Sequence, residues 1–158
     1  MAIKIYGRLS SANVQKINWF CEYANINVIN LNYGGIHGKT QTTEFKDMNP
    51  NSRVPVLDDD NFILYESNAI LRYLSKKFDI LVEEKKEISG KIDQWIDWGS
   101  FTFASPCSLL TAHKLSLPQD QRNELIAGEA KNDILNLLKI LNNHLAKKNF
   151  IVDEKFSL

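Results

Sequence analysis

The first thirty or so residues place the tightest constraint on the fold. Ile3–Tyr6 is a short apolar run of the buried-strand type, and Gly7–Ser11 is a loop. Val14, Ile17, Cys21 and Ala24 then recur at helical spacing, which predicts a helix over Ala12–Ala24 with those four residues as its buried stripe. Ser10 or Ser11 is placed to cap it. Val28–Leu31 reads as a second strand. Strand, helix and strand at such short spacing predict a parallel pair joined by a right-handed crossover.

The next segment narrows the choice. Gly34–Gly38 is a flexible loop, a short helix is expected over Thr43–Met48, and Asn49-Pro50-Asn51-Ser52 is turn chemistry. Val54-Pro55-Val56-Leu57 is apolar but holds a proline, which cannot donate to a central ladder; the segment is an edge, a strand start or a special site. Asp58–Asn61 reads as a tight turn and Phe62–Tyr65 as the returning strand of a hairpin. Glu66-Ser67 opens a helix to about Phe78, with Ile70, Leu71, Leu74 and Phe78 facing inward. The charged run Glu83–Glu87 starts a different region, so the boundary is set near 80–86, between a domain over 1–80 and a helical one over 86–158. In the latter, Ile88, Ile92, Trp95, Ile96 and Gly99 line one helix, which Pro106 should kink or break. Ser116-Leu117-Pro118 should restart a helix carried by Ile126, Ala130, Ile134, Leu137, Leu138, Leu141 and Leu145 to about Lys147. This order is that of an α/β thioredoxin-like domain followed by an all-α helical domain.

Charge and cysteine usage exclude several functions. Nineteen basic residues balance nineteen acidic ones, so no strong field draws in nucleic acid or an anionic membrane. No apolar run approaches the roughly 20 residues a membrane helix needs, and the N-terminus begins a strand instead of a signal peptide. Cys21 and Cys107 stand far apart in apolar surroundings and read as buried thiols of a reducing compartment, with no disulfide framework and no metal site. A cytoplasmic protein is expected.

Three stretches resemble the glutathione transferase family. Ile5-Tyr6-Gly7-Arg8-Leu9-Ser10-Ser11-Ala12-Asn13-Val14-Gln15-Lys16 looks like the strand-loop-helix of the bacterial serine-type, theta-like members. Asn49-Pro50-Asn51-Ser52-Arg53-Val54-Pro55-Val56-Leu57 resembles the segment carrying the family's cis-proline, and Tyr65-Glu66-Ser67-Asn68-Ala69-Ile70-Leu71-Arg72-Tyr73-Leu74 its Glu-Ser element. Trp95-Ile96-Asp97-Trp98 is similar to the first helix of the family's C-terminal domain. The resemblance covers the whole chain, with one departure: the family continues past a Phe-Ser-Leu segment, whereas this sequence stops at Phe156-Ser157-Leu158. It therefore implies a helical domain lacking its last two or three helices, and a second substrate pocket left incomplete.

The chemistry fits these positions. Ser67 lies at a helix N-terminus, where free N–H groups and the dipole favour an anion such as the γ-glutamyl carboxylate of glutathione; on the residues alone, Ser67 is as well explained as a cap and Glu66 as a first-turn charge. The resemblance gives Ser67 the carboxylate and Glu66 the amine. It gives the Val54–Pro55 bond the cis form, with the Val54 backbone pairing with the cysteinyl part like an added strand. It makes Ser11, at a helix start after the first strand, the hydroxyl that stabilises the thiolate; Ser10, Asn13 and Tyr6 are the alternatives. Arg53, and Lys39 or His37 in the loop, can reach a glutathione carboxylate. Trp95, Trp98 and Phe103 can line an apolar substrate side or serve as core, and His113 and His144 are surface or packing residues.

The resemblance thus implies a detoxifying transferase that joins the glutathione thiolate to a small hydrophobic electrophile, works as a homodimer and uses glutathione as co-substrate without a metal. Two other functions sit on the same fold: a non-catalytic binding or scaffold module, and a glutathione-dependent reductase, dehalogenase or isomerase. The absence of cysteine at the loop position held by Ser10 and Ser11 weighs against disulfide exchange.

Overall fold

In the computed structural model, which describes residues 2–158, a four-stranded sheet forms first along the chain. Strands β1 (Ile3–Tyr6), β2 (Val28–Leu31), β3 (Val56–Asp59) and β4 (Phe62–Tyr65) lie in the order β2-β1-β3-β4. β1 and β2 run parallel across helix α1 (Ala12–Tyr23), while β3 is antiparallel to both β1 and β4. Helix α2 (Thr43–Met48) follows β2, and α3 (Ser67–Phe78) follows β4. This is the thioredoxin-like arrangement. The chain divides into two compact units, Met1–Val82 and Glu83–Leu158.

The core of the first unit is built from Ile3 and Ile5 of β1, Val14, Ile17, Phe20 and Cys21 of α1, Phe45 of α2, Val56 and Leu57 of β3, and Ile70 and Leu74 of α3. Phe20 takes the place expected for Ala24, which caps the helix; at about 100° per residue, Phe20 and Cys21 straddle the stripe begun by Val14 and Ile17. On α3, Phe78 is exposed, and the buried set is Ser67, Ile70, Leu74 and Ser75. Gly7 lets β1 pass close under α1: a Cβ there would stand 2.4 Å from Val14 Cγ2 and 3.3 Å from Val54 Cβ.

The hairpin starts later than the sequence pattern indicates. β3 spans Val56–Asp59, and the turn is confined to Asp60 and Asn61, both at positive φ. Asp58, expected in the turn, is a buried strand residue because it has a partner in register: it sits opposite Lys4 of β1 and accepts a 3.0 Å bond from its ammonium, while its other oxygen takes the Asn61 N–H. Asn49, 3% exposed, organises the loop before β3. Its amide donates to the Arg53 carbonyl at 2.7 Å, and its oxygen accepts from the Asn51 N–H at 3.0 Å.

The second unit is helical: α4 (Lys86–Asp97), α5 (Ala104–Thr111) and α6 (Glu124–Leu145). Pro106 does not break the chain's helical course. A π-helical stretch, Trp98–Phe103, joins α4 to α5, and Pro106 follows it near the start of α5; the shifted, wider hydrogen bonding of that stretch accommodates a residue without an N–H. A second π-helical stretch, Ala112–Ser116, follows. The Ser116-Leu117-Pro118 restart gives only a 3-10 turn, Gln119–Gln121, and α6 begins later, capped by Asn123, whose side chain accepts from the N–H groups of Leu125 and Ile126. Cys107 is only half-buried, unlike Cys21. Leu138, expected in the α6 stripe, is exposed, and Ala127 and Ala130 are the buried pair.

Gly7→Ala should lower stability by about 1–3 kcal/mol through overpacking against Val14, whereas Gly128→Ala, mid-helix in α6 with open space around it, should raise it by up to about 1 kcal/mol; urea denaturation checks both, and a neutral Gly7→Ala would contradict the close approach. Asn49→Ala should cost about 1 kcal/mol by removing the bonds to the Arg53 carbonyl and the Asn51 N–H, and should speed hydrogen exchange of the Asn51 amide; unchanged exchange would show that Asn49 does not hold the loop.

Candidate functional site

The sheet register brings the singled-out segments to one end. Tyr6 of β1 faces Val56 of β3, Val56 faces Tyr65 of β4, and Tyr6 also faces Leu31 of β2. Beyond that row lie the 7–11 loop, the Val54–Pro55 bond at the start of β3, Glu66-Ser67 at the end of β4, and the loop after Leu31. Gly7 and Val54 are near enough that a Cβ on Gly7 would touch Val54. A bond from the Ser67 hydroxyl to Asn13 Oδ1, 3.2 Å, ties the start of α3 to the start of α1.

Each piece has its own local cause. Ser11 is the N-cap residue of α1 in extended conformation; its N–H donates to the Arg8 carbonyl, its own carbonyl receives Val14 and Gln15, and its side chain makes no capping bond. The hydroxyl is half-buried at a helix start whose first N–H groups lack intrahelical partners. The Val54–Pro55 peptide is cis, with Pro55 buried and Val54 half-buried. Glu66 is exposed at φ 69°, a left-handed backbone rare for a residue with a side chain, and it is the N-cap of α3. Ser67, 8% exposed, occupies the first position of that helix. Its single hydroxyl proton is directed at Asn13, so a ligand carboxylate must compete for it.

The other sequence candidates fall elsewhere. Lys39 is exposed at positive φ, with its ammonium 5.3 Å from the Tyr33 ring centre, and His37 is exposed in the 3-10 turn Gly35–His37. Arg53 is exposed; its backbone carbonyl, through Asn49, is what fixes it to the loop. Ser10 is exposed beside Ser11. Tyr6 packs edge-on against Tyr33, which stacks on Phe45, and burial with the Asp58 charge pushes its phenol above the ordinary value. Burial pushes the Cys21 thiol up to about 11, so it stays protonated at neutral pH and is no nucleophile. In the second unit, Trp95, Ile92, Leu145, Phe150 and Phe156 line an apolar cleft of about 350 Å³. Trp98 stacks on Phe103 and His144 lies tilted against Trp95, which makes these packing contacts. His113 receives the Asn123 N–H. No helix among the described residues is long and apolar enough to cross a membrane.

Sequence reasoning missed Lys16 and Asn68. The Lys16 ammonium donates to Asn68 Oδ1, beside the Asn13–Ser67 bond. The one signal for it was the spacing of Asn13 and Lys16, three apart and therefore on one helix face.

Comparison with known proteins places this geometry. Residues 1–76 match the family model of the glutathione S-transferase N-terminal domain. The glutathione S-transferase GstB of Escherichia coli K12 is 27% identical over 160 residues, covering 99% of this chain and 77% of that protein. Elongation factor 1-gamma of Danio rerio is 34% identical over 110 residues, covering 69% of this chain and 24% of that protein. The crystal structure of a theta-class glutathione S-transferase from Xanthomonas axonopodis pv. citri, with glutathione bound, superposes with a TM-score of 0.92 at 31% identity, covering 99% of this chain and 76% of that one. On this similarity through both units, the chain belongs to the glutathione S-transferase family.

Proposed function

We propose that this protein binds glutathione at the shared end of the sheet and transfers its thiolate to small apolar electrophiles. One observation carries the proposal: the sheet register gathers a half-buried serine at the start of α1, a cis X–Pro strand start and a buried serine at the start of α3 at one end of the sheet. The similar Xanthomonas enzyme, solved with glutathione bound, supports the choice of ligand.

In this proposal the γ-glutamyl carboxylate lies at the N-terminus of α3. It accepts from first-turn N–H groups, which lack intrahelical partners, and from the Ser67 hydroxyl, which turns away from Asn13. Glu66, exposed and held forward by its left-handed backbone, takes the amine. The Val54 N–H and C=O pair with the cysteinyl backbone. Arg53 and Lys39 are the cations offered to the glycine carboxylate. Ser11 donates a hydrogen bond from its hydroxyl to the sulfur, which lowers the thiol pKa, so the thiol proton passes to water and thiolate is present at neutral pH. The thiolate then attacks the electrophilic carbon: the S–C bond forms, and the leaving group departs with its electron pair. The exposed apolar side chains of the helical unit, such as Phe101 and Leu109, supply area for a second copy, and the proposal includes a homodimer.

The elongation factor 1-gamma similarity favours a second reading, a binding module without transferase activity, because that relative is named for a different role. Titrating reduced glutathione while recording ultraviolet difference absorption at the thiolate band separates the two. The proposal expects a saturable thiolate signal in wild type and, in Ser11→Ala, its loss together with a roughly hundredfold fall in the conjugation rate of an aryl halide. Binding without a thiolate band would favour the module, and an unaltered Ser11→Ala would remove Ser11 from the chemistry.

A further inference from the structure

Two side-by-side bridges join α1 to the first turn of α3. Asn13 accepts from the Ser67 hydroxyl at 3.2 Å, and three residues on, the Lys16 ammonium donates to Asn68 Oδ1. The second bridge has an unusual balance. Lys16 is half-buried, so its charge is partly stripped of water, and a lysine in that position ordinarily either snorkels to solvent or meets a carboxylate. Here its partner is a neutral amide, and among the described residues no carboxylate stands within ion-pairing distance of its ammonium. Burial pulls its pKa below the ordinary lysine value, with the Glu66 charge opposing and the Arg72 charge adding to that shift. A partly desolvated cation, bonded to a neutral amide and feeling the Glu66 charge only at a distance, is thus held one residue from Ser67, at a helix end that itself favours negative charge.

We propose that Lys16 supplies the missing positive charge of the anion subsite at the start of α3, acting on a bound carboxylate through Asn68. It is a positioning residue: the ammonium orients and polarises the Asn68 amide, and its field adds to that of the helix end. The ligand class is an α-carboxylate carried beside an amine, since Glu66 offers the amine its own partner. This inference rests on the glutathione-binding proposal and assigns its γ-glutamyl end a residue on α1.

The test compares reduced glutathione with γ-aminobutyryl-cysteinylglycine, which lacks only the γ-glutamyl α-carboxylate, by calorimetric titration at low ionic strength. Wild type, Lys16→Gln, Lys16→Met and Lys16→Arg are the four proteins. Lys16→Gln keeps a donor for Asn68 and the side-chain bulk while removing the charge, so it serves even where Lys16→Met does not fold. The expected result is a roughly tenfold loss of glutathione affinity in Lys16→Gln, unchanged affinity for the analogue, and recovery of most of the loss in Lys16→Arg. Equal weakening toward both ligands would mean Lys16 is structural only, and no weakening toward glutathione would mean its charge is not felt; either overturns the inference while leaving the glutathione site standing. Wild type that binds neither ligand would overturn the glutathione proposal itself, and this inference with it.

Discussion

The pairing of Val56 with Tyr6 on one side and Tyr65 on the other is the constraint on which the rest of the first unit depends. Side chains along a strand alternate between faces, so a slip of one residue would send Val56 and Leu57 each to the opposite face, undo the packing of both, and carry Val54–Pro55 and Glu66-Ser67 out of line with the start of α1. The register is pinned from two directions. Ile5 and Leu57, paired and fully buried, fix it from the core. Lys4 and Asp58 fix it one pair further along the same strands, since the buried Asp58 carboxylate meets the Lys4 ammonium only when it lies opposite that lysine.

With the strands held, the candidate site is largely a property of where backbone segments leave the sheet. Two helix starts supply N–H groups without intrahelical partners, and one strand start brings the Val54–Pro55 backbone beside them. Few side chains are then needed. Ser11 is left without a capping bond, Ser67 is bonded to a partner it can exchange, and Asn49 spends its amide on fixing the Arg53 carbonyl one residue before Val54. Cys21, the thiol of this unit, is locked in the core and protonated, which leaves thiol chemistry to a ligand.

Much of this was legible in the sequence because it rests on local signals. Hydrophobic period marked β1, α1, β2, α2 and α3, and the Pro55 and Glu66-Ser67 positions stood out from their apolar surroundings. The failures share a cause: long-range partners that no local window holds. Asp58 in a run of acidic residues reads as turn until Lys4, 54 residues away, is placed opposite it. Lys16 carries no local mark of its own until Asn68, 52 residues away, faces it. Pro106 reads as a helix breaker unless a π-helical stretch precedes it. In the helical unit, periodicity located the apolar stripe of α6 but could not say how much of it is covered, and Leu138 remains exposed.

Amide chemical-shift mapping in ¹⁵N-labelled protein during glutathione titration tests the central claim most directly, because it reads where the ligand sits without requiring turnover. Binding at the shared end of the sheet predicts saturable shifts clustered at Ser11, Asn13, Val54, Ser67 and Asn68, with β-strand interiors and the α6 amides unmoved. Shifts concentrated elsewhere, or none at saturating glutathione, would contradict the account.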